Sequence, residues 1–236
     1  MTPREVARGS ARAQLEALLG DDALRDVWRS ARPPLELDAP RQAAVLILFG
    51  VLDDLPSDHR AQASVVSSDL DVLLLARADT LSSHAGQIAF PGGRLDPDDV
   101  DAVAAALREA REETGLDPDG VEVLGELEPV PLAYSQHLVT PVLGWWRSPS
   151  PVRAVDAAES SAVFRTPVAD LLDPANRRTT VLRRDGEEWR GPGFVVASAG
   201  ADRLVWGFTA LVLDALFDAL GWTEAWDGSR EIELAP

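Results

Sequence analysis

Residues 87–116 place the tightest constraint on how this chain can fold. A short alternating stretch, Gln87-Ile88-Ala89-Phe90, runs into Pro91-Gly92-Gly93 and then into a helical segment that stops at Gly115. Alternation of this kind reads as the end of a strand. Paired glycines let backbone approach a neighbour or a ligand closely, and a glycine after the last helical residue is a natural C-cap. Asp96 to Asp99 offers an N-cap for a helix over residues 98–114. The unit is strand, glycine loop, helix, loop.

The helix carries Glu109, Glu112 and Glu113 at spacings of three and one. At about 100° per residue these fall within one face, so all three side chains can reach one small volume. Val100, Val103, Ala106, Leu107 and Ala110 define the apolar stripe expected to dock on a core, with the carboxylates turned away from it. Like charges this close repel, and four-residue spacing to basic residues is the usual relief. Lysine is absent from the chain, and Arg108 is the basic neighbour within reach. A hard divalent cation, Mg²⁺ or Mn²⁺, relieves the repulsion with oxygen ligands and leaves coordination for phosphate. A solvated acidic helix face is the alternative reading of the glutamates alone. Asp96, Asp98, Asp99 and Asp101 lack the glycine and terminal glutamate of a calcium loop, and helix capping accounts for Asp98 or Asp99 more simply.

Composition narrows the chemistry further. With no cysteine and no lysine, thiolate nucleophiles, Cys-ligated zinc and Schiff bases are excluded, and His59, His84 and His137 are isolated. Carboxylates and arginines remain. A formal net charge of −17 argues against nucleic acid or an anionic membrane as partner, while bound metal and local arginines can still admit an anionic small molecule. The longest apolar run, 43–52, is about half of a bilayer crossing. Arginines near the start are not followed by an apolar secretory core, so a cytoplasmic location is expected.

Along the chain, residues 4–30 read as one or two amphipathic helices and 31–40 as a Pro-rich linker, together a 1–40 extension. A main domain over 41–225 and a tail over 226–236 follow. Strands are expected at 43–51, 71–77, 121–128, 138–146 and 159–164, with a polar, mobile loop at 53–68. A short helix at 168–172, a hairpin from 177–184 with 186–189, and a final helix at 205–220 complete the reading, Asp214 and Asp218 lying on the final helix's polar side. Trp145 and Trp146 alternate across a strand, one ring in the core and the other exposed or at an interface, which leaves a homodimer open. Strands alternating with a few helices give an α/β class with a mixed sheet and helices on both sides.

Arg108 to Leu116 resembles the box of the Nudix hydrolase family, G-x5-E-x7-R-E-U-x-E-E-x-G-U. The front half departs from it. Counting forward from Gly93 puts Asp99 where the first Glu belongs, and counting back from Arg108 puts Val100 there, so the loop is one residue longer. A similar insertion marks the branch resembling coenzyme A diphosphatases. Residues 73–77, 84–93, 140–142, 159–164 and 205–210 are similar to that branch's landmarks, with Ser82 where it has an arginine. The resemblance implies a Nudix-type α-β-α sandwich with a loop-helix-loop metal site. It implies hydrolysis of the diphosphate of coenzyme A or an acyl derivative, giving 3′,5′-ADP and a 4′-phosphopantetheine product. Another nucleoside diphosphate linked to a second moiety, such as ADP-ribose or a dinucleotide, is the alternative, and a non-catalytic nucleotide sensor ranks third.

Phosphoanhydride hydrolysis needs an activated water and neutralised phosphate oxygens, which a metal can supply. Glu109 and Glu113 are the expected main ligands, Glu112 adds a ligand or a hydrogen bond, and the resemblance adds the Gly93 carbonyl. It also implies that Arg108 orients a catalytic carboxylate. Glu159 is the first candidate for general base and Glu112 the second. Arg77, at a strand end leading to the box, is placed to meet a phosphate or to form a structural ion pair. His84 and Gln87 are candidates for the entrance.

Overall fold

The computed structural model describes residues 10–20, 39–52, 56–78, 86–132, 135–184, 186–198 and 201–235. Helix α1 (Ala11–Leu18) leads to strands β1 (Arg41–Val51), β2 (Leu70–Arg77), β3 (Ile88–Ala89) and β4 (Gly92–Arg94), then to helix α2 (Ala102–Thr114). Strands β5 (Val121–Glu126), β6 (Val130–Leu132), β7 (His137–Trp146) and β8 (Ser160–Pro167) follow, and β8 runs into helix α3 (Val168–Leu172). The last third contains β9 (Arg177–Arg184), β10 (Glu187–Ser198), β11 (Ala201–Val205), helix α4 (Gly207–Ala219) and β12 (Glu231–Leu234).

The apolar run of β1 has both faces to bury, and its neighbours show why. Ala44, Leu46 and Leu48 join one buried cluster with Ala105, Ala106 and Ala110 of α2. Ile47 and Phe49, on the other face, pack with residues of α1, α3 and α4 and with Phe194 and Val196 of β10. A strand covered on both sides reads as continuous rather than alternating hydrophobicity. The principal sheet has eight strands, with β1 parallel to β7 and antiparallel to β2 and β4. The expected α/β class with a mixed sheet stands. The layer opposite α2, however, contains a second sheet in the order β11-β10-β9-β12 as well as helices. Residues 231–234, expected within a tail, pair in parallel with β9 there.

Two-sided covering also corrects the reading of the tryptophan pair. Trp146 is buried in the α2-side cluster, while Trp145 packs against the opposite cluster. Trp145 is half-buried rather than exposed. The loop after β1 differs too. In its described part, 56–68, Ser57 Oγ donates to Asp170 Oδ1. Gln62 donates from its backbone N to Glu224 Oε1 at 2.9 Å, and His59 Nε2 lies 3.0 Å from that same oxygen. These bonds tie the segment to α3 and to the chain after α4.

Residues 88–94 bridge a fork in the sheet. β2 pairs with β1 near Leu70–Val72 and with β3 near Leu75–Ala76. The chain then crosses so that Gly92 and Gly93 stand opposite Val45 and Ala44 of β1. The glycines therefore lie in a short strand, not the open loop expected. They bring α2, Arg77 and the β8 start to one end of the sheet.

The expected polar side of the last helix also fails at one position. Asp214 turns toward Arg177, which is only 2% exposed and whose guanidinium lies between the rings of Phe194 and Trp226, 4.4 and 4.8 Å from their centres. Burial raises the Asp214 proton affinity and the Arg177 charge opposes this. Breaking such a pair leaves a charge without its partner, whereas removing both does not. Arg177→Ala is expected to lower unfolding free energy in urea by about 3 kcal/mol or more. The double change Arg177→Met with Asp214→Leu is expected to remain within about 1–2 kcal/mol of the original protein.

Candidate active site

Helix α2 starts one turn later than the aspartate run suggests. Asp101 is the N-cap, its carboxylate accepting from the Ala104 N–H at 2.8 Å, and Gly115 closes the helix in the left-handed region at φ 69°. The residues it buries are Ala105, Ala106, Ala110 and Thr114, while Val100 is 89% exposed. The docking face is thus rotated from the expected stripe toward the glutamates. On a helix of 3.6 residues per turn, Glu109 and Glu113 fall within the arc defined by these buried positions. Glu112 sits at its margin, with 59% of its side chain exposed.

The carboxylates of Glu109 and Glu113 therefore point at the sheet, not away from the core. Small alanines and a strand without side chains allow this. A Cβ on Gly93 would stand 2.3 Å from Glu109 Oε1, and the Gly92 N–H donates to Glu113 Oε2 at 2.9 Å. Gly92 has φ 158°, and a Cβ there would meet the Ala44 carbonyl oxygen at 2.4 Å. Both positions need glycine, one for the carboxylate and one for the backbone of β1.

Arg108 organises the other side. Its Nε and Nη2 donate to the two oxygens of Asp99 at 3.0 and 2.8 Å, its Nη1 to Glu112 at 3.0 Å, and Nη1 also lies 3.1 Å from Glu109. Nη2 also donates to the Arg94 carbonyl at 3.0 Å. The Asp99 carboxyl is held below its usual range by Arg108 and by the Asp96 N–H. Of the two residues that the longer loop offers at the first acidic place, Asp99 is the one that meets Arg108, while Val100 is exposed; as the carboxylate of the two, Asp99 is the one its residue type could have singled out.

Burial pushes Glu113 up to about 7; the Gly92 N–H and the charge of Arg77 oppose this, and the charges of Glu109 and Glu159 add to it. Glu109 is likewise raised, by burial first, against the pull of Arg108. Arg77 and Glu159 are thus close enough for Glu113 to feel both. β2 brings Arg77 to this end, and its Nε is buried without a hydrogen-bond partner. Glu159 precedes β8 and is exposed, with its carbonyl accepting the Ala78 N–H at 2.9 Å. The Gln87 carbonyl accepts the Arg77 N–H at 2.9 Å. His84 and Ser82 lie outside the described residues.

Among the described residues, no three acidic or histidine side chains are gathered into a cage. The expectation that all three glutamates converge is corrected: Arg108 draws Glu112 toward the margin. What remains is a pair, Glu109 and Glu113, in a partly desolvated pocket at a glycine strand. Two hard oxygen donors whose ionised forms are disfavoured by burial fit a divalent cation such as Mg²⁺ or Mn²⁺.

A pH test follows for the metal-free protein. Glu113 in the fold holds its proton up to about 7, against the ordinary glutamate value of 4.5. Its protonated form is favoured by folding, so the stability present below 4.5 is lost as pH rises through about 7, and the loss levels off above that. The loss is on the order of 3 kcal/mol. Chelator-treated protein is expected to melt at a lower temperature at pH 8 than at pH 5, and Glu113→Gln to flatten this slope in calorimetry.

Comparison with known proteins gives the same direction. The NUDIX domain profile matches residues 58–184. Nudix hydrolase 15, mitochondrial, of Arabidopsis thaliana is 36% identical over 177 residues, covering 74% of this chain and 56% of that protein. Nudix hydrolase 22, chloroplastic, of the same plant is 38% identical over 181 residues, covering 74% and 53%. The Escherichia coli protein named Uncharacterized Nudix hydrolase NudL is 39% identical over 181 residues, covering 77% of this chain and 83% of that protein. The chain spans about half the length of the two plant proteins it matches. No described helix is long and apolar enough to cross a membrane.

Proposed function

The chain belongs to the Nudix hydrolase family, and from that premise we propose that it is a divalent-metal-dependent diphosphatase whose substrate is coenzyme A or an acyl-coenzyme A. The observation that carries the hydrolase reading is the Glu109–Glu113 pair, held in a desolvated pocket against Gly92 and Gly93. Glu109 and Glu113 hold the metal, with the Gly93 carbonyl as a further donor. When bound, Mg²⁺ or Mn²⁺ offsets charge on the phosphate oxygens and acidifies water.

The chain's own groups supply the rest. Arg108, fixed by Asp99, keeps Glu109 and Glu112 at set positions. Arg77 offers an unpartnered Nε–H and a charge to a phosphate oxygen, a stronger interaction than a neutral donor gives. Glu159, exposed and at the same end of the sheet, accepts the proton of the attacking water. Water oxygen bonds to one phosphorus, the bridging P–O bond breaks, and the departing phosphate oxygen keeps the electron pair. The products are 3′,5′-ADP and 4′-phosphopantetheine, or its acyl form. Gln87 anchors Arg77 through the backbone, and His84 is proposed for the entrance. The coenzyme A reading rests on residues 73–77 and 84–93, the extra loop residue before Arg108 and the later landmarks.

The test is a product screen with Mg²⁺ and with Mn²⁺ across coenzyme A, acetyl-coenzyme A, ADP-ribose, a diadenosine polyphosphate and NADH. Coenzyme A is expected to yield 3′,5′-ADP, and Glu113→Gln to lower kcat by about a thousandfold while the circular dichroism spectrum is unchanged. Cleavage of ADP-ribose or a dinucleotide alone would replace the coenzyme A reading with the alternative one. Full activity of Glu113→Gln at saturating metal would remove Glu113 from the ligand set.

A further inference from the structure

The end of the sheet that carries the glutamates holds a second group of charges that the hydrolytic chemistry leaves unused. Arg41 begins β1 and stands beside His137, the first residue of β7, in the parallel ladder. Arg94 ends β4 opposite Ala43, one residue beyond Gly93. Alternation turns Gly93 toward Glu109 and Arg94 to the opposite face. On β1 that opposite face also carries Val45, Ile47 and Phe49, and Arg41 shares it.

Arg94 and His137 meet, and Arg41 lies close enough for His137 to feel its charge. Arg94 Nε donates to His137 Nε2 at 3.4 Å, so that nitrogen accepts and the ring is uncharged there. Burial depresses the proton affinity of His137; a hydrogen bond to the Ser135 backbone opposes this, and the charges of Arg94 and Arg41 add to it. The terminal guanidinium nitrogens of Arg94 and all of those of Arg41 have no acceptor among the described residues, and both residues are exposed. Arg12, Arg108, Arg177, Arg183 and Arg190 each engage a carboxylate, whereas Arg41 and Arg94 stand side by side without one among the described residues. A neutral histidine that fixes one guanidinium by its Nε leaves that fork free for a planar bidentate contact, as phosphate favours.

We propose that Arg41, Arg94 and His137 form a subsite for a phosphomonoester dianion, the 3′-phosphate of the coenzyme A nucleotide. The inference rests on the function proposed above and deepens it. In that substrate the 3′-phosphate and the scissile diphosphate hang from the same ribose. The protein must therefore meet two anions a few bonds apart, one at Glu109 and Glu113 through metal and one at a separate source of positive charge. Successive residues of β4 provide both addresses: Gly93 faces the first and Arg94 the second. A ribose laid across the rim of the sheet reaches both faces. The same subsite discriminates against nucleoside diphosphates with a free 3′-hydroxyl.

The experiment compares the products as ligands, in full-length protein and without catalysis, by calorimetric titration of 3′,5′-ADP and of AMP, with inorganic phosphate as a third probe. A parallel assay compares kcat/KM for coenzyme A and 3′-dephospho-coenzyme A. Wild type is expected to bind 3′,5′-ADP roughly tenfold or more tightly than AMP and to show a similar preference between the two substrates, carried by KM. Arg41→Gln and Arg94→Gln are each expected to erase most of both preferences, and Arg41→Lys to keep part. A phosphate affinity equal to that for 3′,5′-ADP would assign the subsite to free phosphate and overturn the substrate assignment. Equal binding of 3′,5′-ADP and AMP by wild type, or a preference that survives both glutamine variants, overturns the subsite while coenzyme A cleavage leaves the enzyme reading standing. Absence of cleavage of either substrate, together with absence of binding of either nucleotide, overturns both.

Discussion

Helix α2 lies against a strand that has no side chains where the helix meets it, and the site depends on that contact. Gly93 has no Cβ because the Glu109 carboxylate fills the space, and Gly92 offers its N–H to Glu113. Ordinary residues at 92 and 93 would lift the helix from the sheet by the width of a side chain. The carboxylates would then meet water, and their protons would titrate as those of any surface glutamate. Close approach desolvates them, and desolvation makes two acids on one helix turn into a place that wants a cation. Ala105, Ala106 and Ala110 keep the rest of the contact equally thin.

The electrostatics divide the acidic groups by partner. Arg108 engages Asp99, Glu112 and Glu109, and that fork is largely spent on structure. Burial makes the Glu113 carboxyl hold its proton to about 7, and the Gly92 N–H and the more distant Arg77 charge offset this only in part. Glu159 stays exposed at the same end of the sheet, near enough for Glu113 to feel its charge. Three carboxylates thus have three different environments: one shared with arginine, one buried beside glycine, and one in water. Different environments are what separate a ligand from a proton acceptor in a cluster of chemically identical groups.

How much of this was legible depended on whether the sequence carried phase as well as period. β1, β2 and β7 were legible because two-sided burial writes a continuous apolar run. The short helix at 168–172 and the Gly115 cap were legible from local chemistry. The docking face of α2 was not, since its alanines pack equally well through a range of rotations, and β4 selects among them. β12, with Glu231 and Glu233 alternating with Ile232 and Leu234, has too little apolar surface to be distinguished from a tail until β9 offers it an edge. Asp214 looked like a surface acid because its partner, Arg177, comes from β9, 37 residues earlier in the chain. The Asp99–Arg108 contact required knowing how a loop one residue longer closes.

Net charge and site charge need not agree in sign, and here the fold separates them. At −17 the chain repels anions at a distance, yet salt screens exposed charges beyond roughly 8–10 Å. What a diphosphate meets at contact range is local. Register brings Arg77, at the C-terminal end of antiparallel β2, level with the N-terminal end of β1, where Arg41 and Arg94 also stand. Arg77 and Arg108, with a cation when one is bound, would offset the charge of Glu109 and Glu113 there. The strands' shared end, rather than the composition, sets the sign of the potential at the reaction centre.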